Sequence, residues 1–576
     1  MTARWLPLQC NETAHDTLRF VRQIIAFALV FPALAAAAEP SPLVSILAEE
    51  LKRNFTILQD KGDPKPYFLS YAVTEQQNWS MNAVLGAITA NNKRHNRVLD
   101  VSMRLGSPKL DNYHQIRGDM PDFAAAAPVA LDNSPAAIRR RVWAETDRVY
   151  RLATQRLTNI KTNKEVKVAD KETAADDFSV EPPETAAVAT ASIAFHEEEW
   201  RARLRKLSAR FSKYPKVLAS QVTVTAITET KYFVTSEGTR LQHGRPFARI
   251  MIVAQGKATD GMDLSTAESF SAADPRKLPK DGEIEAAIDK VATDLTNLLE
   301  APLVEPFVGP AILSGRAAGV FFHEIFGHRI EGHRQKDETD GQTFTKRVGE
   351  SVLPGFLSVV FDPTLRELAG EDLHGWYDFD DEGVRARKVN LVENGILKTF
   401  LLSRSPIAGF DHSNGHGRKQ AGAEVVSRQS NLIVQAAQTV PEKKLKELLL
   451  AEIKRQNKPY GYYFQDITGG FTTTGRQGFQ AFKVIPLVVY KVYPDGREEL
   501  VRGADLVGTP LASFAKILAA SDKPGIFNGY CGAESGSVPV SAISPSLLIG
   551  EMEIQKKDQS RDQPPLLPAP SEGGAN

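Results

Sequence analysis

Apolar and polar residues alternate along Phe68–Thr74 and again along Val98–Leu105, and this period of two predicts half-buried strands near the start of the chain. Arg139 to Lys164 carries a helical pattern, and His196 to Tyr214 reads as a charged amphipathic helix packed by one stripe. Strands are predicted at Gln221–Phe233 and Arg245–Ala254, followed by a helix over Gly282–Glu300. Between these elements, Thr162 to Ala191 is rich in Lys, Asp, Glu, Ala, Thr and Pro, the composition of an exposed linker or insertion. Beyond residue 300 the pattern shifts to short strands broken by turn residues. Glu393-Asn394-Gly395 interrupts Val389–Leu402, and Pro494-Asp495-Gly496 follows Val484–Tyr493, both of them hairpin signals. Glycine-rich Ser413–Arg418 and Thr468–Phe471 read as loops. The expected architecture is α+β in two domains: a mixed α/β domain over residues 39–300 and a largely β domain over 301–555, with a disordered Pro/Gly-rich tail over 556–576.

The second domain opens with Gly309-Pro310-Ala-Ile-Leu-Ser314, a short apolar strand ending at an N-cap serine, and Gly315 to Phe326 continues as an apolar helix. That helix delivers His323-Glu324-Ile325-Phe326-Gly327-His328. Two imidazoles bracketing a carboxylate can hold a divalent metal and activate water. The spacing is one residue longer than HExxH, and residues five apart on an α-helix point roughly 140° away from each other. The backbone must therefore bend, and Gly327 can adopt the dihedrals of a π-bulge or an abrupt helix end. His412 and His416 could form a second pair, but Asn414-Gly415 between them argues for a loop.

At 576 residues the chain exceeds a single core. Lys plus Arg and Asp plus Glu both number 70, so net charge favours neither nucleic acid nor an anionic membrane as partner. Arg19 and Arg22, the apolar run Ile24–Leu34 and Ala35–Ala38 before Glu39-Pro40 match a secretory signal over residues 1–38, which predicts export to a bacterial periplasm without stable membrane insertion after cleavage. Cleavage would remove Cys10 and leave Cys531 as a lone thiol in an oxidising compartment. Its place in the turn Asn528-Gly529-Tyr530-Cys531-Gly532 and the nearby metal chemistry favour a zinc ligand over a buried hydrophobe, with His333 as the competitor on spacing. Glu331 is suited to orient a liganding histidine.

Several separated motifs occur in a telling order: Gly309-Pro310, His323-Glu324-x-x-x-His328-x-x-Glu331-Gly332, Phe379-Asp380-Asp381-Glu382-Gly383, Glu393-Asn394-Gly395-x-Leu397, and Ser413–Arg418. This series resembles the TldD/PmbA family of metallopeptidases, specifically its metal-bearing TldD branch. The likeness runs from about residue 300 to 555, with a weaker echo at Thr235–Thr239. It implies zinc ligands at His323, His328 and Cys531 and a catalytic carboxylate at Glu324. It further implies a Zn²⁺-dependent peptidase acting on short or unfolded peptides inside a dimer, formed with a second copy or with a PmbA-branch subunit. The signal sequence and the 162–191 segment depart from the typically cytoplasmic members of the family. A zinc amidohydrolase on a non-peptide amide would use the same residues, and a binding or scaffold protein is the non-enzymatic alternative.

Overall fold

A computed structural model of the chain describes residues 41–116, 120–163, 175–190, 192–336, 340, 343–472, 474–475, 482–508 and 513–557. The expected signal over 1–38, Cys10, residues 164–174 and 191 of the expected insertion, and 558–576 of the expected tail lie outside them.

The N-terminal half is built on five long antiparallel strands: β1 (Pro66–Val84), β2 (Ala87–Ser107), β3 (Ala219–Thr235), β4 (Arg240–Lys257) and β5 (Asp263–Ala272), in spatial order β2-β1-β3-β4-β5. Leu85 and Gly86, both with positive φ (45° and 84°), make the two-residue turn that sets the β1–β2 register. Because side chains alternate across a strand, odd-numbered residues of β1 from Leu69 to Ala83 point to one face. Two groups of helices cover that face. Helices α1 (Pro42–Lys61) and α2 (Pro135–Thr162) pack on Leu69, Tyr71, Val73 and Leu99, while α3 (Glu197–Ala209) and α4 (Asp281–Glu300) pack on Met81, Val224 and Ile250. The opposite face, with Ala72, Phe233 and Phe247, turns toward the C-terminal half. The two halves belong to one unit.

The C-terminal half is largely β. Strands β6 (Phe307–Leu313), β7 (Leu357–Phe361), β8 (Val389–Glu393), β9 (Ile396–Leu397), β10 (Asn431–Ala436), β11 (Gly461–Thr472), β12 (Phe482–Val492), β13 (Ala504–Gly508), β14 (Ile517–Ala533) and β15 (Gly536–Lys556) belong to one sheet. The order β6-β11-β12-β13-β15 closes on itself because β15 pairs with both β13 and β6. Beyond the closure, the first half of β15 pairs with β14 and, in parallel, with β10, which leads on to β7, β8 and β9. Helix α5 (Gly315–Ile325) packs against β15, β11 and β14, and all its residues except Arg316 and Glu324 are buried. A helix apolar on every side needs such a wrap. A one-turn helix α6 (His333–Lys336) and α7 (Glu442–Arg455) complete this half. The expected Asn394-Gly395 turn joins β8 to β9 with φ of 49° and 82°.

Three local expectations are corrected. Thr468–Phe471, expected as a loop, lies within β11, where Gly470 has no room for a side chain: a Cβ there would sit 2.9 Å from Glu324 Cγ. The described part of the 162–191 segment is exposed only in part: Asp177–Ser179 is buried, whereas Val180, Pro182, Pro183 and Val188–Thr190 are exposed. Phe178 is buried between the guanidiniums of Arg104 and Arg404, each 3.9 Å from its ring centre, and Thr185–Ala187 pairs with β4. One aromatic anchors a stretch whose average composition is polar. Lys556, assigned to the tail, still pairs with Ala504.

Candidate metal centre

Ser314 starts α5 as expected: its hydroxyl accepts from the Ala317 amide at 3.3 Å and donates to the Gln465 carbonyl at 2.8 Å. The α-helix stops at Ile325, and after Phe326 (φ −99°, ψ −52°) the chain tightens into a 3₁₀ turn over Gly327–Ile330. That change of pitch makes the five-residue spacing usable. The rings of His323 and His328 stand 5.2 Å apart at 78°.

Gly327 serves this bend for a different reason from the one expected. Its φ is not in the left-handed region, so dihedral freedom is not what it supplies. A Cβ at this position would fall 2.0 Å from Gln429 Oε1, and Gln429 is fully buried, donating through Nε2 to the His323 carbonyl at 3.2 Å. Glycine leaves space for the amide that steadies the histidine backbone. Gly327→Ala is therefore expected to destabilise the fold by about 1–3 kcal/mol through overpacking, read as a lowered urea midpoint. Adding Gln429→Ala should recover most of that loss; a single variant as stable as the parent would show the contact to be unimportant.

Cys531, near the end of β14, brings Sγ within 3.4 Å of His328 Nε2. The donor atoms of His323, His328 and Cys531 all lie within 4.8 Å of one another, and all three residues are buried. Burial disfavours charge on the Cys531 thiol, but His328 and then His323 outweigh it and hold the thiol well below its ordinary range. Burial likewise opposes protonation of His328, and the Cys531 thiolate followed by Glu331 reverses the balance, raising its basicity. This is a thiolate–imidazole set ready to exchange a proton for a divalent cation.

The surroundings reinforce that reading. His328 Nδ1 lies 3.3 Å from Glu331 Oε2, which leaves Nε2 for the centre. Glu331 is fully buried and takes a hydrogen bond from Arg334 Nε at 2.9 Å. Burial works against its ionisation, yet His328 and Arg334 bring its pKa down to about 2. Arg428, fully buried, donates through Nη2 to the Cys531 carbonyl at 2.6 Å while its Nε approaches Glu331 Oε1 at 3.5 Å. One guanidinium thus ties the cysteine strand to the carboxylate that orients His328. His333 turns away and pairs through Nε2 with Glu534. His412 is exposed, and His416 bonds to Asn414 and Ser430, so neither joins the centre.

A zinc ion fits these residues. The buried Nδ1 of His323 has no hydrogen-bond partner, the donor set is two nitrogens and a sulfur, and 3.4 Å is close to the edge of about 3.5 Å between two ligands of one tetrahedral zinc. Glu324 points a carboxylate oxygen to 4.0 Å from His328 Nε2. It faces a cleft of about 430 Å³ walled by Val320, Phe471, Phe527 and Tyr530. Two strand stretches flank this cleft, Gly469–Thr472 of β11 and Asn528–Ala533 of β14, and among the described residues no strand covers the outer edge of either.

Residues 308–556 match the family model of the PmbA/TldA metallopeptidase C-terminal domain. The C-terminal part of the chain carries this metallopeptidase domain. It is 28% identical over 328 residues to a metalloprotease of Methanocaldococcus jannaschii, covering 56% of this chain and 67% of that protein. To a metalloprotease of Archaeoglobus fulgidus it is 32% identical over 273 residues, or 46% of this chain and 58% of the relative. The matches thus span about two thirds of these relatives or less. The PmbA/TldA fold extends further than the sequence match: TldE of Thermococcus kodakarensis superposes with a TM-score of 0.59 at 14% identity over 88% of this chain and 100% of its own. At that identity the likeness is one of fold. Arg428, Gln429, Arg334 and Glu534 carry the centre's support and were not singled out by sequence, where Ser427–Asn431 reads as an ordinary polar stretch although all five residues are fully buried.

Proposed function

We propose that the protein is a zinc-dependent peptidase of the TldD branch that hydrolyses short or unfolded peptides. The observation that carries this reading is the closure of two imidazoles and a thiolate beside a carboxylate, in a cleft flanked by uncovered strand edges. When held by His323, His328 and Cys531, zinc supplies Lewis-acid polarisation of a carbonyl and acidifies water toward neutrality. Glu324 takes the proton from water as its oxygen adds to the peptide carbon. The same carboxylate then hands the proton to the amine nitrogen as the C–N bond breaks. Glu331 and Arg428 keep His328 and the Cys531 strand in place throughout. Substrate lies extended along a strand edge, where main-chain hydrogen bonds give affinity with little demand on sequence.

A folded domain cannot present such a strand without opening. The zinc-loaded full chain is expected to cut a reduced, unfolded domain at least about a hundredfold faster than its native form, in keeping with the rarity of open states. A chelator should stop the reaction and added zinc restore it. Equal rates on native and unfolded substrate, or chelator-resistant cleavage, would refute the reading. Family resemblance adds a dimer with a second copy or a PmbA-branch subunit, for which light scattering of the active enzyme is the test; a strictly monomeric active species sinks it. The Arg19–Ala38 pattern supports export to the periplasm. N-terminal sequencing of native protein should give a start near Glu39, and Met1 intact in a cytosolic fraction would overturn this.

A further inference from the structure

A second cavity, of about 410 Å³, lies between the helix-free face of the N-terminal sheet and the C-terminal half. The β14–β15 hairpin separates it from the metal cleft. Cys531, Val538 and Val540 pack together on one face of that hairpin, whereas Tyr530, Ser537 and Pro539 contribute to the second cavity. Among the described residues Tyr530 alone lines both spaces, and it is 45% exposed at the uncovered edge of β14.

The charges on this cavity's wall are unequally committed. Its acidic groups are engaged: Asp381 with Lys231, Asp378 with Arg366 at 2.8 Å, Glu229 with Gln76 at 2.7 Å, and Asp380 with the backbone amides of Glu382, Val384 and Gly417 at 2.9–3.0 Å. Lys419 is paired with Asp100 at 2.8 Å. Arg245 and Arg418 have no carboxylate within ion-pair distance, although Glu229, opposite Arg245 across β3 and β4, and Asp381 act on them through space. Arg245 donates to the His374 carbonyl at 2.5 Å, and Arg418, 5% exposed, donates to the carbonyls of Pro539 at 2.8 Å and Gln429. A third guanidinium behind Tyr530, that of Arg249, also meets only neutral oxygens, Ser271 Oγ at 3.0 Å and Asn528 O at 2.8 Å. Among the described residues none of the three forms an ion pair. Such cations, held in a recess and hydrogen-bonded only to neutral oxygens, are poised for an anion that enters from outside. His243 adds a second sign. It is 5% exposed on the cavity wall, and among the described residues its ring meets Phe379 edge-on without a hydrogen bond to either nitrogen.

We propose that this cavity is a carboxylate-recognising extension of the substrate groove, in which Arg245 and Arg418 hold a carboxylate of the bound peptide while Tyr530 marks the passage from the scissile bond. The volume and the aromatic wall of Phe247, Trp376 and Phe379 suit a peptide side chain or terminus. One strand layer is on the order of 10 Å thick, which places the anchor about three extended residues from the bond being cut. The carboxylate is either the peptide's C-terminus or an acidic side chain at that distance. The inference rests on the peptidase reading for its substrate but not for its test.

Binding is measured by fluorescence anisotropy on full-length zinc-loaded Glu324→Gln protein, which keeps the groove and should leave the peptide whole. The probes are unstructured fluorescein-labelled peptides of one sequence, ending in a free acid or an amide, and carrying Glu or Gln at successive positions. At least one carboxylate placement is expected to bind about tenfold tighter than its neutral match. Acid against amide identifies the terminus, and Glu against Gln the side chain. Arg245→Gln in the same background should abolish that preference. Ala421→Trp, which fills the cavity without removing a bond, should weaken the carboxylate peptides to the level of the neutral ones, and thermal unfolding verifies that each variant is folded. Neutral and acidic peptides within twofold of each other at every placement, or a preference that survives in a folded Ala421→Trp protein, overturns the proposal. Cleavage by the unsubstituted enzyme is scored separately. Carboxylate-dependent binding without any cleavage would refute the peptidase and keep the anchor, whereas cleavage without carboxylate-dependent binding would do the reverse.

Discussion

Glu324→Gln is expected to retain full zinc content and to lose peptidase activity by about 10²–10⁴-fold. The substitution preserves shape and removes only the ability to accept and return a proton. Glu324 sits in the last turn of α5 with its carboxylate toward the cleft, 4.0 Å from His328 Nε2 and outside the trio of converging donors. Those donors are fixed by other residues: Gln429 holds the His323 carbonyl, Glu331 faces His328, and Arg428 holds the Cys531 carbonyl. The metal should therefore not sense the change. Metal analysis and turnover on the same preparation decide the matter. A variant within tenfold of the parent rate would remove Glu324 from proton transfer, and one stripped of zinc would make it a ligand.

The second large effect is expected at Cys531. Cys531→Ala should weaken zinc binding by more than the roughly 10–100-fold that changes in the outer shell cost, and activity should fall with it. The substitution takes away the sulfur that stands 3.4 Å from His328 Nε2 and the negative charge favoured there. Alanine remains compatible with Val538 and Val540 around it, so the fold should survive while the metal leaves. His333→Ala is the matched control. That ring is committed to Glu534, and its loss should leave zinc in place. Full metal occupancy in Cys531→Ala together with loss in His333→Ala would reverse the assignment.

What could be read from the sequence was mostly local. The Ser314 cap and the apolar run to Phe326 specify a buried helix by themselves, and Asn394-Gly395 specifies a tight hairpin, because each depends on a few consecutive residues. Cys531 was accessible by a different route, the scarcity of cysteine, rather than by any pattern around it. Gly327 stands out in the sequence for its dihedral freedom, yet its constraint comes from Gln429, and a contact 102 residues away leaves no trace in helical periodicity. The run Ser427–Asn431 was hidden for a related reason. Five polar residues in a row signal a solvated loop unless their partners are known, and these partners include Glu331, His323 and Cys531, all distant along the chain. Phe178 likewise depends on two arginines, Arg104 and Arg404, from opposite halves.

The closure of strands around α5 has a consequence for biogenesis. His328 and Cys531 are 203 positions apart, and the strand carrying the thiol pairs with β15, the strand that seals the ring. A nascent chain that has emerged only as far as α5 holds two imidazoles and nothing to complete the set. Contacts of such separation form late, after the loop-closure entropy has been met. Completion of the donor set then becomes a report that the last strand has docked.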